Sequence, residues 1–199
     1  MAWIAFAYHI ASRLAYVLGV GLTLRRQDRT GFVTERHGVE GGFQRFRRTA
    51  AFLMGNDAVS FVLLCLVSAN SLRIGLPRAL TLGVGVIFVV VGVLTKLWAA
   101  ATLGDGYYWR NFFAPADPVP NSGGPYRWLR NPMYTVGYLP TYGLALMTGS
   151  MLGLVAALFD QTAILLFYRL VEKPHFEVLT SSPGSARSPS RGTAPGRRP

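Results

Sequence analysis

Apolar residues fall into long runs along this chain, and polar residues gather between them. The cleanest run is Ala79 to Leu103, where LTLGVGVIFVVVGVL carries no charge until Lys96 near its far end. Roughly 20 mostly apolar residues cross a hydrocarbon core, so this stretch predicts a membrane-spanning helix. Ala51 to Ser71 predicts a second, with Asn56 and Asp57 near its start and Phe61 to Val67 as its apolar centre. Tyr134 to Tyr168 is too long for one crossing, and Thr148-Gly149-Ser150 divides it into the two short helices of a hairpin. Ala2 to Leu24 is the remaining run. Arg13 lies near its centre, where a charge costs about 3 kcal/mol, so it reads as either a tilted anchor or an interfacial helix. It lacks a small-residue cleavage site and does not read as a removed leader. The predicted fold class is all-α: a polytopic transmembrane helix bundle of four or five helices. Residues 1–50 form an N-terminal hydrophobic anchor and basic loop, and 51–179 a membrane core. The Ser, Pro, Gly and Arg tail over 180–199 is too polar to fold.

Composition strengthens this picture. The 199 residues are 51% apolar and only 15% charged, against roughly 25% charged in ordinary soluble domains. Mean hydropathy is +0.31. The net charge of +11 raises nucleic acid as a partner, but the placement of the charge argues against it. Seven arginines lie between Arg25 and Arg48 and four more in the last 20 residues, flanking apolar runs instead of interleaving with aromatics. Such segments attract anionic lipid headgroups. With 25–50 on the cytoplasmic side, alternation leaves only Arg73 and Arg78 outside, and the positive-inside rule is satisfied. Cys65 is the one cysteine, so no disulfide framework exists. His9, His37 and His175 are scattered without metal-ligand spacing.

Candidate chemistry concentrates between Gly104 and Tyr134. Tyr107, Tyr108, Trp109, Phe112 and Phe113 have the character of interfacial aromatics, or wall a site at the membrane surface. Gly123-Gly124-Pro125-Tyr126 is followed by Arg130-Asn131-Pro132-Met133-Tyr134. Glycine and X-Pro units fix the backbone and let it approach a ligand. Tyr faces attract a sulfonium cation, and arginine pairs with a carboxylate. Residue chemistry alone leaves two readings: a re-entrant loop with Tyr134 as interfacial anchor, or a cofactor pocket. Arg169-Leu-Val-Glu172-Lys173-Pro174-His175 follows the last helix. There Glu172 either pairs with Arg169 on the helix surface or reaches back to the Gly124–Tyr134 segment, and Pro174 is expected to stop the helix. Asp57 and Asp105 are further acidic candidates with structural roles favoured.

The order GPY, RNPMY, Gly137, a helical hairpin and EKP resembles the integral-membrane methyltransferases. These include the phosphatidylethanolamine N-methyltransferases and the isoprenylcysteine carboxyl methyltransferases. The likeness runs from about Leu103 to Phe176. Asn131 in place of His, and Leu103-Gly104-Asp105, lean towards the phospholipid branch. The resemblance implies a cytoplasm-facing pocket for S-adenosylmethionine formed by Gly124, Pro125, Tyr126, Arg130, Asn131, Pro132, Tyr134 and Glu172. Tyr134 and Glu172 are the candidate catalytic residues. It implies methyl transfer to a membrane-embedded acceptor, the ethanolamine headgroup of a phospholipid, in a bacterial plasma membrane. The alternatives are a prenylated or other hydrophobic acceptor, or a non-catalytic protein that kept the fold. Two departures stand out: Lys173 replaces the second Glu of the family's pair, and the usual FGxxYxxY continuation is absent after Glu177.

Overall fold

A computed structural model describes residues 1–73, 75–104, 109–114 and 123–181. Asp105, Tyr107 and Tyr108 lie outside these residues, as does the tail from 182 onward. Among the described residues every regular element is a helix: α1 (Ala2–Thr30), α2 (Phe32–His37), α3 (Val39–Val67), α4 (Arg78–Leu103), α5 (Leu139–Thr148), α6 (Met151–Phe167) and α7 (Lys173–Ser181). Four stretches are long and apolar enough to cross a membrane: α1, α3, α4 and the continuous run Met151–Leu179. In α4 only 17% of the most apolar window is buried, and Val86, Ile87, Val90, Leu94 and Leu97 are exposed. A surface of that kind belongs in lipid, and the protein is an integral membrane protein.

Two expectations need correction. The basic stretch 25–50 is helix for most of its length, because its Arg, Gln and Glu residues are good helix formers and the chain turns only at Gly31 and Gly38, with φ of 60° and 70°. Nor does Pro174 stop the last helix. A π-helical turn spans Tyr168–Glu172, with the Lys173 N–H donating to the Tyr168 carbonyl five residues back. The wider turn accommodates a proline that lacks an N–H and crowds the carbonyl four residues earlier, so α6 runs on into α7.

The core is layered along the helix axes. One apolar cluster takes Val20 and Leu24 of α1, Phe43 and Phe46 of α3, and Ile164 and Phe167 of α6. The other takes Ala5, Phe61, Leu64 and Ala156 of the same three helices. Between the two in each helix lie charged or polar residues, all buried: His9 and Arg13, Asp57 and Ser60, and Asp160. Arg13 Nη2 meets Asp57 Oδ2 at 2.6 Å and Arg13 Nε donates to Asp160 Oδ1 at 2.9 Å. His9 Nε2 is 3.1 Å from both Asp160 oxygens. The charge that makes α1 an awkward span is thus matched within the protein, and both partners of a buried pair must be present for it to be tolerated.

α4 docks chiefly on α5, where small residues bring the backbones together. A Cβ on Gly143 would lie 2.5 Å from the Gly85 carbonyl oxygen, and one on Gly85 would lie 2.8 Å from the Gly143 carbonyl oxygen. Close approach of this kind drives helix association in lipid, where the hydrophobic effect between helices is lost. The hairpin break falls at Gly149, whose φ of 64° caps α5. At the other end α7 is tied to α1 by His175, which meets Asp28 at 2.7 Å and stacks on Phe112 at 3.7 Å.

Candidate active site

Glu172 projects from the π-helical turn into the protein and is 7% exposed. The Tyr134 hydroxyl donates to Glu172 Oε1 at 2.6 Å, and the Trp109 indole N–H donates to the same oxygen. Oε2 takes part in neither bond. Three separate segments therefore converge on one carboxylate. Rings enclose them: Trp109 lies edge-on to Phe167 at 5.8 Å and to Phe46 at 5.9 Å, and Tyr134 edge-on to Tyr168 at 6.2 Å. Trp109 holds a left-handed backbone, φ 59°, a conformation that a bulky residue keeps only when its surroundings fix it. The bond to Glu172 and burial among the phenylalanines supply that fixing.

Tyr134 is aimed by the turn before it. The Asn131 side-chain oxygen accepts from the Tyr134 N–H at 3.3 Å, and the Asn131 carbonyl accepts from the Thr135 N–H at 3.1 Å. This is the local hydrogen bonding by which Asn initiates turns. Pro132 is fully buried beneath it. The Asn131 Nδ2 amide is buried and has no hydrogen-bond partner among the described residues, a donor left available to a ligand. Gly124 opens a short 3-10 turn with Pro125, Tyr126 and Arg127. Its φ is +54°, and a Cβ there would collide with Thr102 Oγ1 and come within 3.0 Å of Trp98 Nε1, so glycine lets this turn seat against the end of α4.

The residues expected to form the pocket fall into two groups. Asn131, Pro132, Tyr134 and Glu172 are one connected unit. Gly124, Pro125 and Tyr126 form the turn beside α4, with Pro125 buried and Tyr126 partly so, and Arg130 is exposed between the groups. Glu172 forms no ion pair with Arg169, which is exposed. Lys173 points outward, 54% exposed and 3.4 Å from Glu177, so its ammonium turns away from the carboxylate beside it in sequence. Trp109 was one interfacial aromatic among five in the sequence; its bond to Glu172 joins residues 63 apart and has no local signature.

On the far side of Tyr134 is a cavity of about 320 Å³, walled by Arg13, Asp57, Lys96, Tyr134, Tyr138 and Leu144 among others. Tyr134 is thus shared: its hydroxyl bonds to Glu172, and the residue also lines the cavity.

Residues 80–179 match the phospholipid methyltransferase family. Similar proteins include the phosphatidylethanolamine N-methyltransferase of Neosartorya fischeri, 32% identical over 69% of this chain and 14% of its own length. That of Aspergillus flavus is 29% identical over 71% of this chain and 15% of its own length. That of Paracoccidioides brasiliensis is 27% identical over 84% of this chain and 18% of its own length. The chain thus spans less than a fifth of the length of the curated relatives it matches. No solved structure matches it. With the match covering residues 80–179, the segment that holds both Tyr134 and Glu172, the chain belongs to the phospholipid methyltransferase family.

Proposed function

We propose that this protein transfers a methyl group from S-adenosylmethionine to the amine of a phospholipid's ethanolamine headgroup, at the cytoplasmic face of the membrane. The observation that carries the reading is the meeting of Tyr134 and Trp109 on Glu172 Oε1, which joins distant segments of the family's region in one cluster. The names of the relatives supply the acceptor, and the arginines of 25–48 supply the orientation.

The residues present fit the donor. Its sulfonium suits a pocket with a buried carboxylate and aromatic faces, and its polar groups suit the unpartnered Asn131 amide. Gly124, Pro125, Tyr126 and Arg130 are assigned to the outer part, where Arg130 is exposed and free to meet a carboxylate. When bound, S-adenosylmethionine supplies an electrophilic methyl on sulfur, with a neutral thioether as leaving group. The work left to the protein is placement and exclusion of water. Trp109 and Tyr134 hold the Glu172 carboxylate in one orientation, so its charge is fixed before any ligand arrives. Phe46, Phe167 and Tyr168 keep the surroundings dry. Tyr134, facing both the cluster and the cavity, is the wall at which donor and acceptor meet.

The test is purified protein in vesicles containing phosphatidylethanolamine, given methyl-labelled S-adenosylmethionine. Label in mono- or dimethylated lipid is expected. No donor binding by calorimetry, or label absent from the lipid, would overturn the reading.

A further inference from the structure

The charges around Arg13 are not used by the Glu172 cluster, and two of them, buried Asp57 and partly buried Lys96, are incompletely matched. Asp57 is 5% exposed, and Arg13 occupies its Oδ2 at 2.6 Å. Its Oδ1 is buried and, among the described residues, accepts no hydrogen bond; His9 Nδ1 stands 3.9 Å away, and that nitrogen is already 2.9 Å from Ser60 Oγ. Native buried acceptors are nearly always paired, so an open one calls for an explanation. Lys96 is the second case. It is the one charge in the otherwise apolar part of α4, and among the described residues it forms no hydrogen bond or ion pair. Its ammonium lies 5.0 Å from the centre of the Tyr138 ring, while Arg13 and His9 take up the nearby carboxylates. An ionisable residue placed this way within a membrane segment marks a ligand or ion site by default.

Both groups line the same cavity. On its α3 side the cavity is bounded by Ala58 and Val62, which are exposed, so its mouth is on the lipid-facing surface. The depths agree as well. At 1.5 Å per residue, Lys96 lies roughly 10 Å from the Leu103 end of α4 and Asp57 roughly 13 Å beyond the basic stretch that ends at Arg48.

From this geometry we infer that the cavity is the acceptor headgroup site, with Lys96 binding the phosphate of a phospholipid and Asp57 Oδ1 accepting a hydrogen bond from its primary amine. An unpaired cation and an open anionic acceptor in one chamber match a headgroup with an anionic and an amino end. The lipid-facing mouth favours a headgroup that arrives attached to its acyl chains over soluble phosphoethanolamine. Tyr134, at the boundary with the Glu172 cluster, sets the amine end of the headgroup towards the donor. The inference rests on the proposed phospholipid acceptor for its substrate, and on the cavity alone for its residues.

The test uses the full-length protein with two independent readouts. In steady-state assays, Lys96→Gln is expected to raise KM for phosphatidylethanolamine at least tenfold while S-adenosylmethionine affinity stays within twofold, and Lys96→Arg to retain most of the wild-type KM. Native mass spectrometry of the detergent-solubilised protein should show retained phosphatidylethanolamine, displaced neither by diacylglycerol nor by soluble phosphoethanolamine, and weakened by Asp57→Asn. An unchanged KM in Lys96→Gln, a parallel loss of donor affinity, or displacement by diacylglycerol would overturn the site. Equal competition by soluble phosphoethanolamine would overturn the lipid as its occupant. Lys96-dependent lipid retention in a protein that methylates no lipid would leave the site standing and remove the proposed reaction. That readout is made on wild type as well, so it does not depend on a variant that folds.

Discussion

At the scale of single residues, the account turns on how one carboxylate is held. Hydrogen bonds to a charged group contribute about 1.5–3 kcal/mol, more than neutral ones, so a donor removed from Glu172 has a measurable consequence. Trp109→Phe keeps the ring among Phe46 and Phe167 and deletes only the N–H that reaches Glu172. The expected result is a fall of about tenfold in S-adenosylmethionine affinity by calorimetry; an unchanged affinity would show that the bond does not organise the pocket. Lys173 makes the opposite prediction. Because its ammonium turns to Glu177, Lys173→Glu restores the family's acidic pair without placing a second carboxylate beside Glu172. Methylation rates are expected to stay within about threefold, since exposed pairs of this kind contribute at most about 1 kcal/mol. Buried Asp160 is different, since it meets both Arg13 and His9. Asp160→Asn takes away one side of a buried ionic group, a change that costs about 3 kcal/mol or more. Thermal unfolding in detergent should register it as a clear drop in Tm, and an unaltered Tm would mean that the polar layer does not hold α1 to α3 and α6.

At the scale of elements, the α4–α5 contact separates glycines that pack from glycines that merely face lipid. Gly143 has the Gly85 carbonyl at its back, whereas a Cβ on Gly83 would meet nothing within 4 Å. Gly143→Ala is expected to destabilise by about 1–3 kcal/mol through overpacking, and Gly83→Ala to be neutral or slightly stabilising. Melting curves of the two variants decide it, and equal effects would contradict the packing. The elements also show what local pattern can and cannot reveal. The start of α4 differs by one residue from the apolar run that predicts it, and Thr148-Gly149-Ser150 contains the actual break, because hydropathy and a left-handed glycine act locally. The helix through 25–50 is obscured by its charge, and the passage through Pro174 depends on a π-helical turn that no residue pattern announces. The site follows the same division. The Asn131 turn is legible in RNPMY, and its association with Glu172 came from the ordered resemblance. The roles of Trp109 and Arg13 depend on partners brought from 63 to 147 residues away, which only the assembled bundle reveals.

At the scale of the whole molecule, two features meet at Tyr134: the hydrogen-bonded cluster around Glu172, proposed to face the methyl donor, and the cavity lined by Lys96 and Asp57, proposed to take the headgroup. Apolar faces of α1, α3 and α4 turn to lipid, while Arg13, Asp57, Asp160 and Glu172 are gathered inside and bonded to residues of other elements. On the proposed function, that separation would let a water-soluble donor and a membrane-bound acceptor reach one point from different sides. The central claim is that the methyl group crosses this boundary onto lipid. Lipid mass spectrometry of cells with and without this protein, alongside cells carrying Glu172→Gln, tests it most directly. The account predicts N-methylated phosphatidylethanolamine with the intact protein and its loss with the variant at equal protein level. Lipid profiles that are the same in all three would contradict it.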